Sequence, residues 1–288
     1  MNTRQQTNQQ LPLMKPLTPH SEVVFSSTLD GVFQGMAERD YRAEPALATS
    51  DLKLMENPKA FWQRMTKQTS FQRTPSMALG TMFHTYVLEP DIFTKTITVC
   101  PDEFADRRKK ASREWWDTYG ENAIKEDDLN QLKRMARAMR ELPEGNKVLD
   151  CQAEVSVFSQ TAWPMPSKCR IDAYDPTTAT VYDIKTTAPG GAHPMAFRRQ
   201  SKALKYYMQQ FNYTHIAARA GLPIKRWVWL VVETGGDYLA GQYEFAPEDM
   251  VQAGKETMAN IERLVDCLEF DQWPDYTPQK SQILQLFY

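Results

Sequence analysis

The sequence predicts a mixed α/β fold: a central mixed sheet of about five strands flanked by helices. Two observations predict it. The apolar pattern has helical spacing through about residue 145 and changes to short alternating runs from 153 onward. Helical and strand-like runs then follow in the order three strands, helix, two strands, helix. A 42% apolar share and 11% aromatics over 288 residues supply enough material for a real core.

The first 20 residues are polar and hold Pro12, Pro16 and Pro19, so a flexible arm is expected there. One domain is expected over 21–288, with a helical part at about 45–145, a core at about 150–250, and a C-terminal helix and tail. Ser50 is placed to cap a helix over 51–57, and Pro58 suits the first turn of a second one reaching residue 65. Ser76 is placed to cap a third over 77–88. Residues 95–99 alternate and are β-branched, which predicts a strand. A helix is expected around 114–119. Another is expected over 127–142, where Leu129, Leu132, Ala136, Met139 and Leu142 form one stripe.

Strands follow at 153–159, 168–174 and 180–186, with a turn at 175–178 between the last two, which suggests an antiparallel meander. One long helix is expected over 194–219, ended by Gly221 and Pro223. Residues 226–233 are apolar enough for a sheet centre, 238–245 read as a further strand, and Pro247 opens a helix to about 268.

Charge and cysteine usage narrow the class. The net charge is −2, with 34 basic and 36 acidic residues. Residues 233–288 carry −8 and the preceding 232 carry +6, so the balance hides a basic body and an acidic tail. No apolar run approaches the roughly 18–20 residues of a membrane span, and Met1–Gln10 lacks the apolar core of a signal peptide. Cys100, Cys151, Cys169 and Cys267 are scattered without a CxxC pair, which disfavours a zinc ribbon. A cytoplasmic protein with reduced thiols is expected.

The segment that carries chemistry is Arg170-Ile171-Asp172 followed by Asp183-Ile184-Lys185. The strand period of two puts Asp183 and Lys185 on one face, and the turn before them can bring Asp172 alongside. Ile184 points the other way while its carbonyl stays near the acids. Two carboxylates at one point repel unless a cation lies between them, and Mg²⁺ or Mn²⁺ favours oxygen ligands. Such an ion polarises a phosphodiester and acidifies a bound water. A neighbouring lysine can orient that water and counter phosphoryl charge. His84 sits on a helix with an apolar opposite face, where a lone histidine is more often a packing residue than a ligand. Gln209 and Tyr213 lie four apart on another helix, hence on one face.

In this order the residues resemble the PD-(D/E)xK nuclease superfamily, and most closely its exodeoxyribonuclease VIII (RecE-like) branch. The matching pieces are Ser50-Asp51-Leu52-Lys53 with Pro58 and Phe61, Gly80 through His84 to Asp91, the basic stretch before Trp115, Glu154, Ile171-Asp172, Asp183-Ile184-Lys185 and Gln209 with Tyr213. They span about residues 45–250.

The resemblance implies a restriction-endonuclease-like core. It implies Asp172 and Asp183 as Mg²⁺ ligands, with the Ile184 carbonyl and His84 completing or flanking the metal. Lys185 would position and activate the attacking water, Gln209 and Tyr213 would support the phosphate, and Glu154 would be a secondary acid. It also implies processive 5′→3′ digestion of linear duplex DNA, a ring-shaped homo-oligomer and a single-strand annealing protein as partner.

Candidate phosphate contacts are Arg107, Arg108, Lys109, Lys110 and Arg113, and on the later helix Arg198, Arg199, Lys202 and Lys205. The competing readings are a non-catalytic DNA-binding or assembly protein on a nuclease-like core, and another nuclease of the superfamily, endonuclease or helicase-associated. An iron–sulfur type needs four clustered cysteines, which the spacing does not supply. An unrelated small-phosphoester hydrolase is disfavoured only by the resemblance.

Overall fold

The computed structural model describes residues 22–68 and 74–276. The expected N-terminal arm and the end of the acidic tail lie outside them. In chain order the elements are β1 (Gly31–Phe33), α1 (Glu38–Ala43), β2 (Leu47–Ala48), α2 (Thr49–Leu52), α3 (Pro58–Met65), α4 (Pro75–Leu88), α5 (Pro90–Thr96), β3 (Thr98–Val99), α6 (Lys110–Tyr119), β4 (Ala123–Ile124) and α7 (Glu126–Arg140). Then come β5 (Gln152–Ser159), β6 (Ser167–Asp175), β7 (Thr180–Thr187), α8 (Pro194–Ala203), α9 (Tyr206–Arg219), β8 (Arg226–Glu233), β9 (Ala240–Tyr243) and α10 (Pro247–Phe270).

The main sheet has the order β1-β5-β6-β7-β8-β9, with β2 added beside β6. The meander β5-β6-β7 is antiparallel, as its tight connections require. The α8–α9 crossover brings β8 back parallel to β7, in register from Thr180↔Arg226 to Thr187↔Glu233. Both faces of that pair are buried. Val181, Trp227, Trp229 and Val231 pack with residues of α2, α9 and α10 on one face. Tyr182, Ile184, Val228, Leu230 and Val232 pack with Phe83 of α4 and Leu132, Met135 and Met139 of α7 on the other. Each such large side chain removed from water contributes about 1.5–3 kcal/mol, so the strands that carry the acids are held at the rigid centre.

Several helix ends differ from the sequence expectation. The cap of α4 is Thr74, not Ser76: its Oγ1 accepts from Met77 N–H at 3.3 Å, and Pro75 fills the first turn. Ser50 lies inside α2 and caps nothing, because the helix begins at Thr49, whose Oγ1 is held by Asn212 Nδ2 at 2.7 Å. The expected strand over 95–99 is reduced to Thr98–Val99. Pro90 opens α5 instead, and Thr94 and Thr96 satisfy their hydroxyls by donating to Pro90 and Ile92 carbonyls within the helix. The single helix expected over 194–219 is two. Lys205 takes a left-handed conformation (φ 53°, ψ 49°), which ends α8 and starts α9 at a new angle. The last strand is shorter than expected, Ala240–Tyr243, because Tyr238 turns with φ 55°.

Candidate active site

Strands β6 and β7 pair only as far as Ala173↔Tyr182. Beyond that point β7 continues along β8, so its other edge is left open from Asp183 onward. Side chains satisfy the backbone groups exposed there. Asp172 Oδ2 accepts from Ile184 N–H at 2.9 Å, and His84 Nε2 donates to the Ile184 carbonyl at 2.9 Å. The carbonyl can only accept, so Nε2 carries the proton. Burial lowers the His84 pKa, which favours the neutral ring. Its unprotonated Nδ1 therefore faces the acids, 3.7 Å from Asp172 Oδ2 and 4.0 Å from Glu154 Oε1. Gly80, one turn earlier on α4, lets the helix sit close to β7. A Cβ there would stand 3.0 Å from Thr186 Oγ1.

Glu154 reaches the site through backbone strain. The pairs Ala153↔Ala173 and Val155↔Ile171 put it opposite Asp172. It holds φ 50°, a region that costs a non-glycine residue about 1–3 kcal/mol. Arg170 anchors its carboxylate, with Nε 2.5 Å from Oε2, and is itself tied to the Met36 carbonyl at 2.9 Å. One ligand atom each from His84, Glu154 and Asp172 lies within 4.8 Å of the others. One imidazole nitrogen and two carboxylates form a mixed nitrogen and oxygen donor set of a kind that can hold a divalent cation.

Asp183 has a different environment. It is 2% exposed, and its two oxygens are held by Lys185 Nζ and by Gln209 Nε2, the latter at 2.7 Å. Burial raises all three acids, Asp183 to about 6; Lys185 pulls the other way at Asp183 and Asp172, and Arg170 does so at Glu154. The Lys185 pKa is raised by Asp183 and Asp172, which outweigh burial and hold the side chain as an ammonium. It stands 5.2 Å from the centroids of both Tyr206 and Trp229, an arrangement that adds cation–π attraction. Such a group donates to water or phosphate oxygen and does not take a proton.

A family described as "PDDEXK-like domain of unknown function (DUF3799)" matches residues 48–284. The chain belongs to this family. That places it in the PD-(D/E)xK nuclease superfamily. A search of the curated proteins matches none. The PDDEXK-like chain is similar in structure to a "Putative exonuclease" from Eubacterium rectale, with TM-score 0.61, 11% identity, and coverage of 88% of this chain and 97% of that one. At that identity the likeness shows the fold. A phage related exonuclease from Haemophilus somnus 129PT aligns over 63% of this chain and 94% of its own, at 13% identity and TM-score 0.33.

The PDDEXK-like core brings together His84, Glu154, Asp172, Asp183, Ile184, Lys185 and Gln209. Glu154, expected as secondary, belongs to the three-residue group, while Asp183 is occupied by Lys185 and Gln209. Tyr213 does not join them by a hydrogen bond. Its ring packs edge-on against Trp227 at 5.9 Å, and burial raises its hydroxyl pKa well above the usual value.

The expected DNA contacts are exposed except for Lys205, which is partly buried. Arg107 lies 3.7 Å over the Trp116 ring, Arg108 is held by Asp106, and Lys110 stands 3.7 Å from Glu114. Lys109 and Arg113 are exposed beside them, and Arg198, Arg199 and Lys202 are exposed along α8. Lys205 pairs with Glu56. The sequence reading assigned no role to Arg170, which orients Glu154. Its signal was its place two residues before Asp172 on the same strand. Among the described residues no helix is long and apolar enough to cross a membrane, and all four cysteines are free.

Proposed function

We propose that this chain is a divalent-metal-dependent exodeoxyribonuclease that digests linear double-stranded DNA. The observation that carries the reading is the parted β6–β7 edge, which sets the His84–Glu154–Asp172 donor group beside the buried Asp183–Lys185 pair. Crowded, half-buried acids with raised pKa values are what a cation would relieve. His84 Nδ1, Glu154 and Asp172 would hold the metal, with Asp183 beside them. Mg²⁺ or Mn²⁺ bound there would acidify a water and offset charge on the phosphodiester.

The chain's own residues supply the rest. The Lys185 ammonium donates to the attacking water or to the phosphoryl oxygen that gains charge. Asp183 and the aromatic rings of Tyr206 and Trp229 fix where that ammonium points. Gln209 holds Asp183 in place, and Arg170 does the same for Glu154. The exposed bases of 107–113 and of α8 supply phosphate contacts that follow the backbone without reading sequence. Superfamily membership and the name of the Eubacterium rectale neighbour support a nuclease that works from DNA ends. The 5′→3′ polarity, processivity, ring-shaped oligomer and annealing partner rest on the RecE-like resemblance alone. Retention of both acids and the lysine disfavours a non-catalytic assembly protein.

The test is cleavage of linear duplex DNA with Mg²⁺ or Mn²⁺ by the wild type and by Lys185→Ala. Removing one preorganised donor of this kind costs about 10²–10³-fold in kcat, so the variant is expected to bind DNA and lose cleavage by that factor. Near-normal cleavage by Lys185→Ala would overturn the assignment.

A further inference from the structure

Lys53 opens the 3-10 turn Lys53–Glu56 after α2. Its side chain crosses to the joint between α8 and α9, where Nζ donates to the Leu204 carbonyl at 2.8 Å. The same ammonium stands 5.8 Å from the centroid of Tyr206, and Lys185 stands 5.2 Å from that ring. Two cations thus share one aromatic ring beside Asp183. The nearby Lys205 is paired with Glu56, and Lys185 is paired with Asp183. Lys53 gives its hydrogen bond to a neutral carbonyl.

The electrostatic surroundings agree with a local excess of positive charge. Burial and the Lys185 charge push the Lys53 pKa down to about 8, against the pull of Asp183. The charged neighbours of Lys53 are Lys185, Asp183 and Lys205, and those of His84 are Glu154, Lys185 and Asp183. Asp183 and Lys185 are therefore neighbours of both the His84 cluster and Lys53.

We infer that Lys53 binds a backbone phosphate of the cleaved DNA strand, next to the scissile one. This inference rests on the nuclease reading of the site. A strand whose scissile phosphate lies between the His84 cluster and Lys185 carries a neighbouring phosphate on toward Lys53. A compact ammonium with a carbonyl partner keeps donors to spare, since it has three. The bland alternative is that Lys53 only ties down the carbonyl of Leu204, the capping residue just past α8, as lysines near helix C-termini do.

Lys53→Gln separates the two, because glutamine keeps a donor for Leu204 and loses the charge. Lys53→Arg restores the charge. Binding is measured by fluorescence anisotropy on labelled duplex in Ca²⁺ over a salt series, and cleavage of linear duplex is measured in Mg²⁺. Lys53→Gln is expected to raise KM about tenfold with kcat little changed, and to lower the slope of log K against log salt by about 0.9. Lys53→Arg should recover most of both. A methylphosphonate at one linkage flanking the scissile one should weaken the wild type and leave Lys53→Gln unaffected. Wild-type KM and salt slope in Lys53→Gln overturn the inference, and so does a lowered melting temperature with an unchanged slope. If the wild type cuts no duplex, the nuclease reading fails. The Ca²⁺ series still decides Lys53: a reduced slope supports the phosphate contact and an equal slope removes it.

Discussion

Replacing Asp183 by Asn tests whether the buried acid is a strained functional group. Asp183 is 2% exposed, and its pKa stands at about 6 instead of 3.8, with burial as the main cause. The folded state binds this proton more tightly than the unfolded chain. Stability is therefore lost as pH rises from about 4 through about 6, and the loss is complete above that. At pH 7 and without metal, the ionised carboxylate costs on the order of 3 kcal/mol. Asn removes that cost, and Gln209 can turn its amide to present an acceptor. Lys185 loses its nearest partner and keeps Asp172, which returns part of the gain. The expected net stabilisation at pH 7 in EDTA is about 1–3 kcal/mol, falling below about 1 kcal/mol at pH 4. Urea unfolding at both pH values measures it, with DNA cleavage followed in parallel. A variant that is less stable than wild type at pH 7, or whose gain is the same at pH 4, would show that the buried charge on Asp183 does not strain the fold. A variant that gains stability and keeps cleavage would separate Asp183 from the chemistry.

Two further predictions address the metal group and the DNA surface. Glu154→Gln should retain its hydrogen bond with Arg170 and show a smaller rise in melting temperature on Mn²⁺ addition, since each tenfold loss of affinity removes about 1.4 kcal/mol of ligand stabilisation; an unchanged rise would exclude Glu154 as a ligand. Neutralising Arg107, Lys109 and Arg113 together should lower the salt slope of duplex binding by up to about 2.7, and an unchanged slope would remove that segment from the interface.

The main strands were legible because both sheet faces are apolar and their runs are bounded by turn residues. The apolar run 226–233 coincides with the bounds of β8, and the short turns of the meander match its antiparallel pairing. Helix starts were less legible where two capping residues compete, as with Thr74 and Ser76. The break at Lys205 was hidden because a left-handed lysine leaves no compositional mark. Its partner contact, Lys53 on Leu204, spans 151 residues. The short β1, β2 and β4 carry too few residues for any periodicity.

At the site, the spacing of Asp172, Asp183 and Lys185 showed that acids and a lysine would meet. It could not show that β6 and β7 part after Ala173↔Tyr182, because strand pairing ends by geometry rather than by residue type. The prominence of Glu154 depends on its positive φ and on Arg170, neither of which a strand pattern encodes. Tyr213 shared a helix face with Gln209, yet the same turn of α9 faces Trp227 as well as the acids.

Exonuclease action is decided by incubating the wild-type protein and a divalent metal with one plasmid in two forms, linearised and covalently closed. With Mg²⁺ or Mn²⁺ the linear duplex should be degraded from its ends and the closed circle should persist, with EDTA stopping the reaction. Equal cleavage of the closed circle would contradict the exonuclease reading, and no cleavage of either form with any divalent cation would contradict the nuclease reading itself.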